Sequence, residues 1–280
     1  MTSAAGSAME GGEGGASGEP SGIGGHALGG NTGTGCSGGF ETVQTERKHL
    51  CVARMVAIDG PDSASNYQID ATEVTSGQYD AWLATDPALP LGTDTTCGWK
   101  SSGSYAETAA GVTGTDSDHH PVANVDWCDA RAYCADVGKR LCGAIGGGSG
   151  DYLGYTDATK SQWYRACSSG GAHRYPYGDV AQPGLCNDGK ALSVGTTAVG
   201  SLPDCTSSTD GYTGVYDMDG NVTEWEDSCN GGFCRVRGSA YTPYLTDEND
   251  ASCLGSGADY ANQAGPSLTG PTLGFRCCSL

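Results

Sequence analysis

The 280 residues carry 33 acidic against 14 basic side chains, a formal net charge of -19 that disfavours nucleic acid and anionic membrane surfaces and leaves cations as natural partners. With 47 glycines and only 17% charged residues, much of the chain is turn and loop rather than long helix, while 37% hydrophobic content suffices for one large domain or two small ones.

Fourteen cysteines without paired C-x-x-C knuckles argue for disulfides over zinc, and hence for an extracytoplasmic setting: secreted, periplasmic or surface lipoprotein. Residues 1–39 contain no hydrophobic signal core, and residues 1–45 read as a Gly/Ser/Glu-rich leader or tether ahead of a domain over 46–280. A secretion or lipoprotein signal upstream of Met1 is therefore expected. No stretch approaches the roughly 20 apolar residues of a membrane span.

The first strand is expected at CVARMVAI from Cys51, followed by a turn at Asp59-Gly60-Pro61-Asp62. In YQIDATEVTSGQYDAWLA, Tyr67, Ile69 and Ala71 alternate as in a strand. The period then turns helical at Val74, Tyr79, Trp82 and Leu83, with Thr75 as N-cap. Residues 86–118 read as a long surface loop anchored by Cys97. DWCDARAYCADVGKR is the clearest helix, capped by Asp126, with Trp127, Ala130, Cys134 and Val137 on one face and a stop at Gly138. A shorter helix over SQWYRACS is expected to start after Asp157 or Thr159. Beyond Tyr175 the chain is punctuated by turns.

Seven phrases in order, YQIDATEVTSGQYDAWL, HPVANVDWCDARAYCADVGKRL, SQWYRACSSGG, YPYGD, GVYDMDGNVTEWEDS, VRGSAY and GFRCC, resemble the formylglycine-generating enzyme (sulfatase-modifying factor) family over roughly residues 51–280. The resemblance implies an α+β, loop-rich, C-type-lectin-like fold with few helices, stapled by disulfides.

In DMDGNVTE, Asp217 and Glu224 are hard oxygen donors flanking a turn at Gly220, as calcium sites require. The resemblance implies ligation by the Asp217 and Glu224 side chains and the Gly220 and Val222 carbonyls, with Asp217 where the family usually has an amide. An EF-hand does not fit, because Val222 and Ser228 fall where its glycine and bidentate glutamate belong. A solvated acidic turn is the alternative. A second family site would use Asn187 and the Asp188 carbonyl, although the segment that should supply its aspartate is shorter here.

The family's bridges imply Cys134 to Cys277 and Cys167 to Cys253, leaving ten cysteines whose partners spacing does not settle. Family catalysis implies a cysteine pair, five residues apart after the RGGS-like motif, that binds copper(I). Here RGSAYTPYLTD places Thr242 and Asp247 there, and neither offers a soft thiolate. Cys229 and Cys234 have the same separation but precede VRGSAY; they read as a hairpin disulfide, with a redox or copper site as the alternative. His119 and His120 read as turn residues, and Trp82, Trp127, Trp163 and Trp225 as core. Arg237 and Arg276 read as salt-bridge partners inside an acidic domain.

The favoured function is a non-catalytic, calcium-bound binding or scaffold module, a pseudoenzyme whose partner is an extracellular protein, peptide or glycan. The alternative is an active copper-dependent oxidase of the family, converting a protein cysteine to formylglycine. A non-haem iron enzyme ranks last, since His26, His49, His119, His120 and His173 show no 2-His-1-carboxylate pattern.

Overall fold

The computed structural model describes residues 36, 40–44, 49–87, 95–100, 105, 117–190, 195–242, 252–255 and 262–279. The chain divides into Met1–Thr34 and Gly35–Leu280. The first unit, with His26 and most of the expected leader, lies outside the described residues, as does Asp247. The second unit carries all the described elements.

Strand β1 (Phe40–Gln44) pairs antiparallel with β2 (His49–Ala53), and Cys36 is bonded to Cys51, so a hairpin stands ahead of the expected first strand. CVARMVAI itself divides into β2 and β3 (Met55–Ile58), because the Arg54 carbonyl between them turns to accept from Ala71 N at 2.8 Å. Strand β4 (Tyr67–Asp70) pairs with β3.

Helix α1 (Ser76–Leu83) starts at Thr75 with a capping box: the Thr75 hydroxyl accepts from Gln78 N, and the Gln78 amide oxygen accepts from Thr75 N. Helix α2 (Trp127–Asp136) is capped by Asp126, whose Oδ1 accepts from Asp129 N at 3.0 Å; Gly138 follows it at φ 77°. After β5 (Arg140–Leu141), helix α3 (Gln162–Cys167) covers the expected SQWYRACS segment, with Ser161 rather than Asp157 or Thr159 at its start. Ser161 Oγ both accepts from Tyr164 N and donates to Glu226, which makes it the better cap.

The remaining strands are β6 (Thr223–Asn230), β7 (Phe233–Arg237), β8 (Gln263–Ala264), β9 (Leu273–Phe275) and β10 (Cys277–Cys278). One sheet has the order β3-β4-β10-β5 and another β8-β7-β6-β9, in which β6 and β9 run parallel. The result is the expected α+β, loop-rich architecture.

All four tryptophans named above are buried, and each indole N–H has a partner: Asp136 for Trp82, the Glu226 carbonyl for Trp127, Glu224 for Trp163 and the Val125 carbonyl for Trp225. Burying these four indoles thus costs no unpaired donor. The aromatic centre is Tyr79, Trp82, Tyr133 and Phe275. Disulfides close the loops that so little regular structure leaves long: Cys134–Cys277 and Cys142–Cys278 pin β10 from both sides, with Cys97–Cys128, Cys167–Cys253, Cys186–Cys205 and Cys229–Cys234 elsewhere.

Candidate functional site

The segment from Asp217 to Glu224 leads into β6 through three left-handed residues, Asp217 (φ 58°), Gly220 (φ 94°) and Asn221 (φ 62°). It packs against the loop of Asn187 and Asp188. Asn221 N donates to the Asn187 carbonyl at 2.9 Å, and the Asn221 side chain bonds both backbone groups of Thr197. Cys186–Cys205 ties the same loop down, and the Cys205 carbonyl accepts from Asp217 N.

Four charged side chains meet beneath this turn, all of them buried: Glu73, Asp217, Glu224 and Arg276. Arg276 grips Glu224, with Nε at 2.9 and 2.8 Å from the two carboxylate oxygens and Nη2 at 2.7 Å from Oε1; Trp163 donates to Oε2 at 2.8 Å. Further donations to the Asp70 and Tyr216 carbonyls complete the guanidinium. Asp217 Oδ2 accepts from Gly200 N at 2.6 Å. Neither oxygen of Glu73 has a hydrogen-bond partner.

Three carboxylates against one guanidinium leave a buried excess of negative charge. Burial, then the Asp217 charge, pushes the Glu73 carboxyl well above the usual range. Burial raises Asp217 to about 6 despite the Gly200 amide, and Asp219 to about 7 despite the bond from Ser239.

For calcium these residues fit only in part. Glu224 already accepts from four donor contacts and faces a guanidinium, so as arranged it offers a cation little. Asp217 and the orphaned Glu73 are not gripped by Arg276 and are the carboxyls still open to a cation. Among the described residues no group of three His, Cys, Asp or Glu side chains is arranged to hold a metal, so a hard cation would draw on backbone carbonyls such as those of Gly220 and Val222. In the second loop Asn187 Oδ1 and Thr197 Oγ1 are buried without partners, while Asn187 Nδ2 donates to the Gly195 carbonyl.

The cysteines offer copper(I) no free thiolate. All fourteen cysteines are in disulfides and none is free. Thr242 is partly buried and offers only a hydroxyl. Cys229 and Cys234 face each other across the β6–β7 hairpin as register partners and are bonded. Beside that bridge a groove of about 530 Å³ is lined by Thr95, Thr96, Trp99, Asn230, Phe233 and Pro266, with Trp99 and Phe233 each 46% exposed.

The other candidates are dispersed. His119 is exposed, and His120 Nδ1 lies 2.8 Å from Thr196 Oγ1. Arg237 is buried with Nε 3.8 Å from Glu226 and Nη2 donating to the Cys253 carbonyl. Sequence reasoning passed over Glu73; a charged residue between Ala71 and Val74 in an otherwise inward-facing segment was its only signal.

The loop-rich α+β fold and its seven disulfides define a disulfide-stapled domain of formylglycine-generating-enzyme type. The family model described as "Sulfatase-modifying factor enzyme 1-like domain" matches residues 36–279, and the chain belongs to that family. It is 31% identical over 121 residues to the "Formylglycine-generating enzyme" of Mus musculus, covering 38% of this chain and 27% of that protein. It is 29% identical over 180 residues to the "Inactive C-alpha-formylglycine-generating enzyme 2" of Bos taurus, covering 57% and 50%. The chain thus spans half or less of these relatives' lengths. Among solved structures, CarF aligns over 86% of this chain and 98% of its own at 21% identity, with a TM-score of 0.47.

Proposed function

We propose that this domain is a non-catalytic member of its family, a rigid binding or scaffold module working in an oxidising compartment. The observation that carries this reading is the absence of any free thiol among fourteen cysteines, with Thr242 at the position where the family's first copper-binding cysteine is expected. Seven disulfides suit a secreted or otherwise extracytoplasmic setting. The half-exposed Trp99 and Phe233 beside the Cys229–Cys234 hairpin support a binding role for an extracellular protein, peptide or glycan. A relative named as inactive shows that the family includes such members.

The test is titration of the purified, disulfide-intact chain with copper(I), followed by incubation with a cysteine-containing sulfatase-type peptide under oxygen. No copper binding and no aldehyde are expected. Stoichiometric copper binding with aldehyde formation would establish the oxidase reading instead.

Calcium at the 217–224 loop is part of the proposal. What supports it is the partnerless, buried carboxyl of Glu73 beside Asp217, whose ionisation a hard cation would favour. Isothermal titration with calcium after chelator treatment is expected to show binding that Asp217→Asn weakens; no heat and no thermal shift would remove calcium from the account.

A further inference from the structure

Lys100 is a buried cation in a place that the family reading does not explain. Its side chain is 6% exposed, and its Nζ lies 2.5 Å from Asp126 Oδ2 and in contact with Asp129 Oδ1, which is fully buried. The ammonium sits 5.6 Å from the Trp99 ring centre and 6.0 Å from that of Tyr105, which in turn packs edge-on against Trp82. One amine is thus wedged between two carboxylates inside an aromatic wall.

We propose that Lys100 and Asp129 form an intramolecular isopeptide bond, with Asp126 as the proton-transferring group. The two carboxylates are not equivalent. Asp126 is anchored as the N-cap of α2 by its Oδ1, which leaves Oδ2 aimed at Nζ; Asp129, one turn on, presents its carboxyl to the same nitrogen. A proton passes from the Lys100 ammonium to Asp126, which relays it to the Asp129 carboxylate. The neutral amine then attacks Asp129 Cγ, Asp126 exchanges protons with the tetrahedral centre, and one carboxyl oxygen leaves as water. The balance is one ammonium plus one carboxylate giving one amide plus one water, with no oxidant or reductant. Burial favours the product, since an amide replaces an ion pair whose desolvation is costly, and the fixed geometry supplies the proximity that solution amide formation lacks. The Tyr79 hydroxyl is buried without a hydrogen-bond partner; burial and then the Asp129 and Asp126 charges hold its phenol well above the usual range, so it stays a donor.

The bond would clamp the segment at residues 95–100 to α2 independently of the neighbouring Cys97–Cys128 bridge. The full chain, secreted through an oxidising compartment, is reduced, alkylated and weighed intact, then digested with trypsin. Expected are a mass one water below the sequence value, no cleavage after Lys100, and a branched peptide joining Lys100 to Asp129. Lys100→Arg should restore the full mass. Asp126→Asn, which preserves the helix cap, should leave most chains uncross-linked with all seven disulfides formed. Free Lys100 and Asp129 peptides from the parent chain would overturn the proposal, as would a water loss mapped elsewhere, such as a succinimide at Asp219-Gly220.

Discussion

Gly220 lies against Asn187 so closely that a Cβ on it would sit 2.4 Å from the Asn187 carbonyl carbon and oxygen. The two loops that the family resemblance assigns to cation binding are therefore packed directly against each other. Gly220→Ala combines this clash with φ 94°, and a loss of about 2 to 4 kcal/mol is expected in denaturant unfolding. Wild-type stability for this variant would contradict the close packing.

Among the described residues Arg276 is the side-chain cation that grips Glu224, and it faces Asp217 and Glu73 as well. Arg276→Met removes one partner and strands the buried carboxylates, so about 3 to 5 kcal/mol of stability is expected to go. Equilibrium unfolding measures it. A loss well under 1 kcal/mol would mean that the carboxylates are already neutral or held by another cation.

The charge excess also sets a pH dependence. The folded-state carboxyls of Asp217, at about 6, and Asp219, at about 7, lie above their unfolded values, as does that of Glu73. The folded chain therefore binds more protons than the unfolded one in this window. The corresponding stability is present below the usual carboxylate range and is lost as pH rises through about 6 to 7. In chelator, the melting temperature is expected to be higher at pH 5 than at pH 8, and calcium should recover the difference at pH 8. A flat profile in chelator would contradict the buried excess.

How much of the fold and site was legible in the chain depends on range. The helix starts at Thr75 and Asp126 were readable because a cap and its helix are neighbours in sequence. The four buried tryptophans followed from their place in the phrases that carry the family resemblance. The parallel pairing of Thr223 with Leu273 was not, since β6 and β9 meet across fifty residues and β9 is three residues long. The start at Ser161 was hidden because its hydroxyl is fixed by Glu226, a tertiary partner. The commitment of Glu224 to Arg276 was hidden for the same reason: local spacing shows two oxygen donors around a turn and cannot show an arginine arriving from the C-terminus. Glu73 lies in the phrase YQIDATEVTSGQYDAWL without a role assigned by it, Lys100 lies in none of the seven phrases, and burial is what singles both out.

The disulfides differ in what they hold. Replacing both Cys134 and Cys277 by serine opens a closure of 143 residues, for which chain entropy gives about 5 kcal/mol. The same change at Cys229 and Cys234, five residues apart, gives about 2 kcal/mol. Denaturation of the two double variants should show that order; equal losses would mean that loop closure is not what the bridges contribute.

The most direct measurement is a peptide-resolved count of free thiols on the natively purified chain, alkylated after denaturation without reduction. The account predicts none, with Cys229 and Cys234 recovered bonded to each other. Recovery of these two as free or partly oxidised thiols, with the other twelve paired, would contradict it and put a copper or redox centre at the β6–β7 hairpin.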